Sequence, residues 1–253
     1  RYGTVTGVQT CALPISAFLF LSRNHRVGLE LLRYGIEQRK GFIVITGEVG
    51  AGKTTLCRAL LNALDPHTRT ALILNPILSP TEVLKSIADE FRLQPARTTR
   101  KYLYDTINAF LLRELAADHN VTLIVDEAQN LKPAVLEQIR LLSNLETEKH
   151  KLLQIVLVGQ PELGDLLARD NLRQLRQRVA LNHHLAPLTV EETGEYILHR
   201  WHVAGGDGRL QLSNPVPRRS GLQLSNPARG SGERQTSRRD ALCAASAFSC
   251  CLP

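Results

Sequence analysis

Residues 47–54 read Gly-Glu-Val-Gly-Ala-Gly-Lys-Thr, and this stretch decides the fold class. It matches the pattern G-x-x-x-x-G-K-[ST], in which glycines let consecutive backbone N–H groups converge on phosphate oxygens. A helix after the loop directs its partial positive charge at the same anion. The motif therefore predicts a phosphate site that binds a nucleotide. Its candidate binding residues are Gly47, Glu48, Val49, Gly50, Ala51, Gly52, Lys53, Thr54 and Thr55.

Two side chains of this loop have expected roles in binding ATP and Mg²⁺. Lys53 would reach the β- and γ-phosphates, and the hydroxyl group of Thr54 would ligate Mg²⁺. The context supports this prediction, because an apolar run precedes the loop and a helical pattern follows it.

Strand and helix patterns alternate on both sides of the loop. Short apolar runs at 41–46, 70–74, 121–125, 152–158 and 180–185 predict five strands. Helices are expected at 53–64, from Pro80, and at 100–119, 133–142, 162–169 and 189–203. This order predicts an α/β P-loop NTPase with an open, five-stranded parallel sheet covered on both faces. A ligand would bind outside the carboxyl ends of the strands.

An acidic pair follows the third strand pattern. A strand that ends at Asp126 would place this carboxylate beside the phosphate loop, where it can bind Mg²⁺ through water. Glu127 would then point toward the γ-phosphate and deprotonate an attacking water. Such a glutamate favours hydrolysis over phosphoryl transfer, because a kinase must avoid activating water.

Two amide side chains are weaker candidates at the same edge of the sheet. Gln160 follows the strand at 152–158, which should lie beside the strand that ends at Asp126. Its amide could contact the γ-phosphate or the water, although a plain turn at the strand end is the alternative. Asn75 could hydrogen-bond Glu127 and keep it from water until a partner binds, but asparagine is also a common turn residue.

Three arginines, Arg173, Arg176 and Arg178, lie close together before the last strand pattern. An arginine inserted from a neighbouring subunit can stabilise charge on a transferred phosphoryl group. Arg178 is the first candidate for this role and Arg176 the second. The alternative is a solvated basic helix face.

The histidines do not indicate a structural metal site. His183, His184, His199 and His202 have no cysteine or carboxylate partners at ligand spacing.

Composition places the chain among soluble globular proteins. Of its 253 residues, 43% are hydrophobic and 22% are charged, and no apolar run approaches the roughly 18 residues of a membrane helix. The net charge is +7, but the residues after Gly205 are strongly basic, which leaves about +2 for residues 17–205. This charge is no evidence for a nucleic-acid partner. The scattered cysteines indicate a reducing compartment.

Both ends of the sequence differ from the middle. Residues 5–15 read VTGVQTCALPI, which is the in-frame translation of a common sequencing-library adapter, so residues 1–16 are excluded from the predicted fold. Residues 206–253 repeat LQLSNP among Arg, Ser, Gly and Pro, and we expect this tail to be frameshifted or disordered. The ATPase domain is therefore expected over residues 17–205.

The middle of the chain resembles the AAA+ ATPases of the general-secretion-pathway protein A (ExeA) family. The resemblance runs from about Phe18 to Gly205 and rests on residues 18–22 with His25, 32–36, 47–55, 74–76, 126–131, 141–146, 158–163 and 175–178. The segments Asp-Glu-Ala-Gln-Asn at 126–130 and Val-Gly-Gln-Pro-Glu-Leu at 158–163 are far more specific than the phosphate loop.

This resemblance implies a cytoplasmic ATPase domain that binds ATP and Mg²⁺ and forms homo-oligomers. It also implies that hydrolysis drives or regulates assembly of an export apparatus, with partner proteins at the inner face of the bacterial inner membrane. A small helical lid with a second nucleotide-sensing arginine should follow Gly205. The sequence after Gly205 does not match that pattern, so the lid is expected to be truncated or scrambled.

Two alternative functions remain open from the residues. A transposition or helicase-loader ATPase, whose hydrolysis is gated by DNA, shares the same phosphate chemistry. A P-loop kinase is the second alternative. Glu127 and the lack of a recognisable acceptor-binding segment count against it.

Overall fold

Five parallel strands form one sheet in the order β2-β3-β4-β1-β5. They are β1 (Phe42–Gly47), β2 (Arg69–Ile73), β3 (Val121–Val125), β4 (Gln154–Gly159) and β5 (Val179–Leu185). The phosphate loop leaves the carboxyl end of β1, and the acidic pair leaves the carboxyl end of β3. The strand β4 lies between them and pairs with both.

The structure is a computed structural model that describes residues 19–74, 78–146 and 151–206. The chain consists of a larger compact unit, residues 21–188, and a smaller unit, which includes residues 19–20 and 189–206. Asn75, the adapter-like residues 1–16, and the tail beyond residue 206 with its expected lid all lie outside the described residues.

The described part of the chain contains eight α-helices. They are α1 (Arg23–Glu37), α2 (Lys53–Ala63), α3 (Pro80–Glu90), α4 (Arg100–Ala116), α5 (Pro133–Leu142), α6 (Glu162–Ala168), α7 (Arg173–Arg176) and α8 (Val190–Val203). The predicted capping box at the start of α3 is present, with Ser79 accepting from the N–H of Glu82 and Pro80 in the first turn. A second capping box, Thr189 with Glu192, begins α8.

The sheet is covered on both faces, as predicted. Successive strand residues point to opposite faces, and the buried residues of β1 divide accordingly. Phe42 and Val44 pack with α3, α4, α5 and α6, whereas Ile43 and Ile45 pack with α1 and α2. Burial on both faces explains why β1, β3 and β4 are continuously apolar or nearly so.

Most predicted elements have nearly the observed bounds, and β3 and α5 have the predicted bounds. The strand β4 begins two residues later than predicted, because its ladder with β3 begins at Gln154, opposite Thr122. The preceding Leu152 and Leu153 are buried but lie outside the ladder. Two helices, α1 and the four-residue α7, were not predicted.

The smaller unit contains α8 and the residues packed on it. The ring of Phe20 contacts the rings of Tyr196 and His199, each with centroids 5.9 Å apart. The helix ends at Val203 with Ala204 as its C-cap, and Gly205 then adopts a φ of +84°. Among the described residues, no helix is both long enough and apolar enough to cross a membrane.

Glu114 on α4 links the helix to the segments that begin two neighbouring strands. Its carboxylate accepts hydrogen bonds from Arg69 Nε at 3.1 Å and from His119 Nδ1 at 2.8 Å. Burial tends to raise the pKa of Glu114, but the hydrogen bonds and charges of His119 and Arg69 outweigh burial and lower this pKa below its usual value of 4.5.

We therefore expect Glu114→Gln to lower the free energy of unfolding by about 1–2 kcal/mol at neutral pH, because it removes the charge from both hydrogen bonds. A carboxylate whose pKa is lower in the folded than in the unfolded protein stabilises the folded state at pH values above its pKa in the unfolded protein. This stabilisation is lost as the pH falls through its pKa in the folded protein. The difference between parent and variant should therefore shrink on acidification. Urea unfolding of the parent and the variant, from neutral pH down through the pKa of Glu114, measures this difference.

The matched control is Glu30→Gln, because the Glu30 carboxylate is exposed and lies 3.8 Å from Arg33. A loss in Glu114→Gln that equals the control, or that does not change with pH, would contradict the assignment.

Candidate nucleotide site

The phosphate loop turns between the last residue of β1 and the first residue of α2. Gly50 and Gly52 have φ angles of +80° and +84°, in the region that favours glycine. A Cβ atom on Gly52 would also lie 2.5 Å from His25 Nε2, so this position excludes a side chain on two grounds. The sequence thus places glycine where the backbone must reverse.

Lys53 lies inside the loop and is 7% exposed. Its ammonium group donates to the carbonyl oxygens of Gly47 at 2.9 Å and Glu48 at 3.0 Å. A buried ammonium is stable only with such partners. The loop therefore concentrates a positive charge at the carboxyl end of β1.

The amino end of α2 adds to this positive potential. The first N–H groups of a helix have no partners inside the helix, and the N-cap residue Gly52 supplies no side chain to bind them. The N-terminus of this 11-residue helix is therefore suited to an anion. Val49 and Thr55 are both exposed at this loop.

A hydrogen bond joins the loop to the acidic pair. Thr54 Oγ1 donates to Asp126 Oδ2 at 2.7 Å, although the two residues lie 72 positions apart. Asp126 is 2% exposed, and its Oδ1 accepts from the N–H of Glu127 at 2.9 Å. A hydroxyl and a carboxylate this close offer the oxygen ligands that Mg²⁺ prefers, so these residues fit the metal.

The two side chains would supply only part of a metal shell. Mg²⁺ usually binds one or two carboxylates and takes its other oxygens from phosphates and water. In keeping with this, the described residues contain no group of three or more His, Cys, Asp or Glu that could bind a metal ion.

Glu127 adopts a φ of +52°, which is uncommon for a residue other than glycine. Such backbone strain costs about 1–3 kcal/mol and is concentrated at functional sites. The half-buried carboxylate accepts from Gln129 Nε2 at 2.5 Å and from Gln160 Nε2 at 3.4 Å. The strained backbone thus places a carboxylate between two amides.

Gln160 lies where the sequence places it, directly after β4 and beside β3. Its backbone N–H donates to Gln129 Oε1 at 3.0 Å, in addition to its side-chain contact with Glu127. Gln129 is not among the site residues predicted from the sequence, although it lies in the segment 126–131. The sequence feature that could have identified Gln129 is its amide side chain two residues after Glu127.

The three arginines lie at the opposite end of the sheet from the phosphate loop. Val179, which follows Arg178, pairs with Phe42 at the start of β1, whereas Leu185 pairs with Gly47 at the end. A six-residue strand separates these ends by about 20 Å. The arginines are therefore remote from the phosphate loop of their own chain.

The local surroundings of the arginines differ. Arg178 is half-buried, and its Nη1 donates to Ser143 Oγ at 3.1 Å. Arg176 is exposed, and its Nη1 donates to the carbonyl oxygen of Ala168 at 3.2 Å. Arg173 is also exposed.

His25 on α1 supports the phosphate loop from outside. Its Nε2 lies 2.9 Å from the carbonyl oxygen of Ala51, which only accepts, so Nε2 carries the proton. Its Nδ1 lies 2.7 Å from Ser22 Oγ, and Ser22 also caps α1. From the sequence, His25 contributes to the family resemblance, but no role at the site is predicted for it.

Cys57 lies below the same loop on α2 and is 2% exposed. Burial, assisted by the negative charge of Asp126, raises the pKa of its thiol to about 12. Cys57 is therefore a neutral core residue and not a reactive thiol.

Comparison with known proteins identifies the class. The AAA domain family matches residues 36–167, which is just over half of the chain and contains both the phosphate loop and the acidic pair. The chain therefore belongs to the AAA domain family.

A particular relative is General secretion pathway protein A of Aeromonas hydrophila. It is 47% identical over 193 residues, which cover 76% of this chain and 35% of the relative. The chain thus spans about a third of the length of that protein.

Solved structures of low sequence identity share the fold. Cdc6p from Pyrobaculum aerophilum has a TM-score of 0.57 at 19% identity, covering 74% of this chain and 53% of its own. The Aeropyrum pernix ORC2 protein in its ADPNP–ADP complexes has a TM-score of 0.55 at 18% identity, covering 72% and 52%. A Walker-type ATPase of Pyrococcus abyssi has a TM-score of 0.55 at 16% identity, covering 75% and 60%.

We expect His25→Ala to weaken ATP binding about 10-fold, because the loop loses a hydrogen bond to Ala51 and the packing against Gly52 that fixes its shape. Titration with a fluorescent ATP analogue measures the affinity, and thermal unfolding measures stability in parallel. The control is His202→Ala, because His202 is exposed on α8. A lowered melting temperature with unchanged affinity would show that His25 only stabilises the fold.

Proposed function

We propose that this chain binds ATP with Mg²⁺ and hydrolyses the ATP as one subunit of an oligomer. The observation that carries the proposal is the 2.7 Å hydrogen bond from Thr54 Oγ1 to Asp126 Oδ2. It brings a phosphate-binding loop and a carboxylate pair into one site, and hydrolysis of a nucleotide requires both.

Lys53 and the amino end of α2 would bind the β- and γ-phosphates. The ammonium group of Lys53 now donates to two loop carbonyl oxygens. A phosphate oxygen carries more negative charge than a carbonyl oxygen, so it forms the stronger hydrogen bond with the ammonium. When a nucleotide binds, Lys53 would donate to its phosphate oxygens instead of to the two carbonyl oxygens.

Thr54 and Asp126 would hold Mg²⁺, which supplies positive charge against the charge that develops on the phosphates. Glu127 would act as the general base for the attacking water, because its carboxylate follows Asp126 and is half-buried beside Gln160. Gln160 would contact the γ-phosphate or this water and report hydrolysis to the rest of the domain.

The position of the arginines supports an oligomer. Arg178 and Arg176 lie about 20 Å along the strands from their own phosphate loop, so neither completes that site. In a ring of identical subunits, Arg178 would instead reach the γ-phosphate bound by the neighbouring subunit and stabilise the transition state.

The biological role that we propose is to drive or regulate assembly of a bacterial secretion or export apparatus. The 47% identity to General secretion pathway protein A supports this role. The ATPase would act in the cytoplasm, at the inner face of the inner membrane, with export proteins as partners. DNA that stimulates the ATPase in a salt-dependent way would instead favour the DNA-gated alternative.

Two substitutions separate binding from chemistry. We expect Lys53→Ala to weaken ATP binding about 10- to 100-fold, because a buried ammonium donor is lost. Glu127→Gln should keep ATP bound but lower kcat about 10²- to 10⁴-fold, because the general base is lost. Equilibrium binding and phosphate release without any acceptor measure the two effects.

Glu195→Gln is the control for charge loss, since Glu195 is exposed on α8. Hydrolysis by Glu127→Gln at the parental rate would show that another group activates the water. Acceptor-dependent turnover, with no phosphate released in its absence, would favour a kinase.

We expect Arg178→Ala to lower kcat about 10³-fold in assembled protein, because charge on the transferred phosphoryl group loses its partner. Mixing it with Lys53→Ala subunits provides the test, since each variant lacks a different half of the shared site. Turnover should partly recover in the mixed oligomer. Arg97→Ala, which changes an exposed arginine, is the control. A normal rate in assembled Arg178→Ala would shift the role to Arg176 or Arg173.

A further inference from the structure

Gln129 occupies the space between the two residues to which the proposed function assigns the water and the γ-phosphate. Its Nε2 donates to Glu127 Oε2 at 2.5 Å, and its Oε1 accepts from the backbone N–H of Gln160 at 3.0 Å. The Gln129 amide thus donates to a residue that follows β3 and accepts from a residue that follows β4.

Gly159 provides the room for this amide. A Cβ atom at position 159 would lie 2.6 Å from Gln129 Oε1, closer than such atoms approach in proteins. Gly159, the last residue of β4, therefore leaves room for the Gln129 amide at its observed position, and a side chain there would displace it.

The backbone around Gln129 is fixed on both sides. Glu127 has the strained φ of +52°, and the next residue, Ala128, is fully buried in the core. A 3₁₀ turn spans Ala128–Asn130, and the N–H of Asn130 donates to the carbonyl oxygen of Glu127. The turn fixes the backbone from which the Gln129 side chain extends, and the hydrogen bonds to Glu127 and from Gln160 then hold the amide at its end.

The two amides both contact one oxygen of the carboxylate. Gln129 Nε2 and Gln160 Nε2 reach Glu127 Oε2, and within the described residues no hydrogen bond to Glu127 Oε1 is observed. An orientation fixed through one oxygen leaves the other available to accept a proton from water.

We propose that Gln129 is a positioning residue that fixes the Glu127 carboxylate relative to Gln160, so that Glu127 Oε1 faces the attacking water. This inference rests on the proposed function, because it needs Glu127 as the general base. In this role Gln129 would contact the carboxylate and Gln160, and neither the water nor the nucleotide. It couples the base to the residue that senses the γ-phosphate.

Removal of the amide is the first test, in the full chain. Gln129→Ala should lower kcat about 10- to 100-fold, the loss of a hydrogen bond to a charged group, while KM and the affinity for ATP change less than about 3-fold. Gln94→Ala, at an exposed glutamine between α3 and α4, is the matched control. A parental kcat in Gln129→Ala would overturn the inference.

A second variant tests the pH dependence of kcat, which a purely structural role of Gln129 would leave unchanged. Gln129→Glu places a second carboxylate against Glu127 Oε2, and two adjacent carboxylates tend to share a proton. In the pH profile of kcat, the fall in activity on the acid side should therefore occur at a higher pH than in the parent. An acid limb at the parental pH would count against the contact.

Gly159→Ala displaces the amide without removing it. We expect this variant to lower kcat as Gln129→Ala does, and the double variant to be no slower than either single one, because both act through one contact. The new methyl group would also lie 3.1–3.2 Å from Leu163, so thermal unfolding must show that the fold is retained. Additive losses would mean that the two positions act separately.

Failure of this inference and failure of the proposed function give different results. If the parent releases no phosphate from ATP, or if Glu127→Gln is as active as the parent, the proposed function is wrong. If the parent is active, Glu127→Gln is inactive and Gln129→Ala has the parental kcat, then only the role of Gln129 is wrong.

Discussion

The hydrogen bond from Thr54 Oγ1 to Asp126 Oδ2 is the contact on which the rest of the site depends. Thr54 follows the loop after β1 and Asp126 follows β3, and these two strands are not neighbours, because β4 lies between them. Parallel strands end at the same edge of the sheet, so the loops after β1, β3 and β4 meet there. The phosphate loop, the acidic pair and Gln160 thus lie together for a topological reason, before any side-chain chemistry is considered.

Local patterns in the sequence predicted the elements whose residues act within one strand or one turn. The strand β3 is a nearly continuous apolar run that an aspartate follows, and its predicted bounds are those observed. The capping box at Ser79 and Glu82 is a contact over three residues and was predicted for the same reason. The phosphate loop needed no long-range information, because its glycines encode its backbone conformation directly.

Elements whose role depends on distant residues could not be predicted in this way. The helix α1 presents Leu32 and Ile36 to the sheet, but the glycines at 28 and 35 weaken its helical pattern. Those glycines allow close packing against His183 and Ile43, from strands that only the fold brings near. Gln129 is similar: its partner Gln160 is 31 residues away, so the network around Glu127 is visible only in three dimensions.

The central claim is that the loop and the acidic pair bind one nucleotide together. The most direct measurement is a double-mutant cycle on the Mg²⁺-dependent part of ATP affinity, using Thr54→Val and Asp126→Asn. If both residues act on one metal ion, each single variant should remove most of the Mg²⁺ dependence, and the double variant should lose little more. Losses that simply add, or ATP affinity that keeps its full Mg²⁺ dependence in either variant, would contradict a shared site.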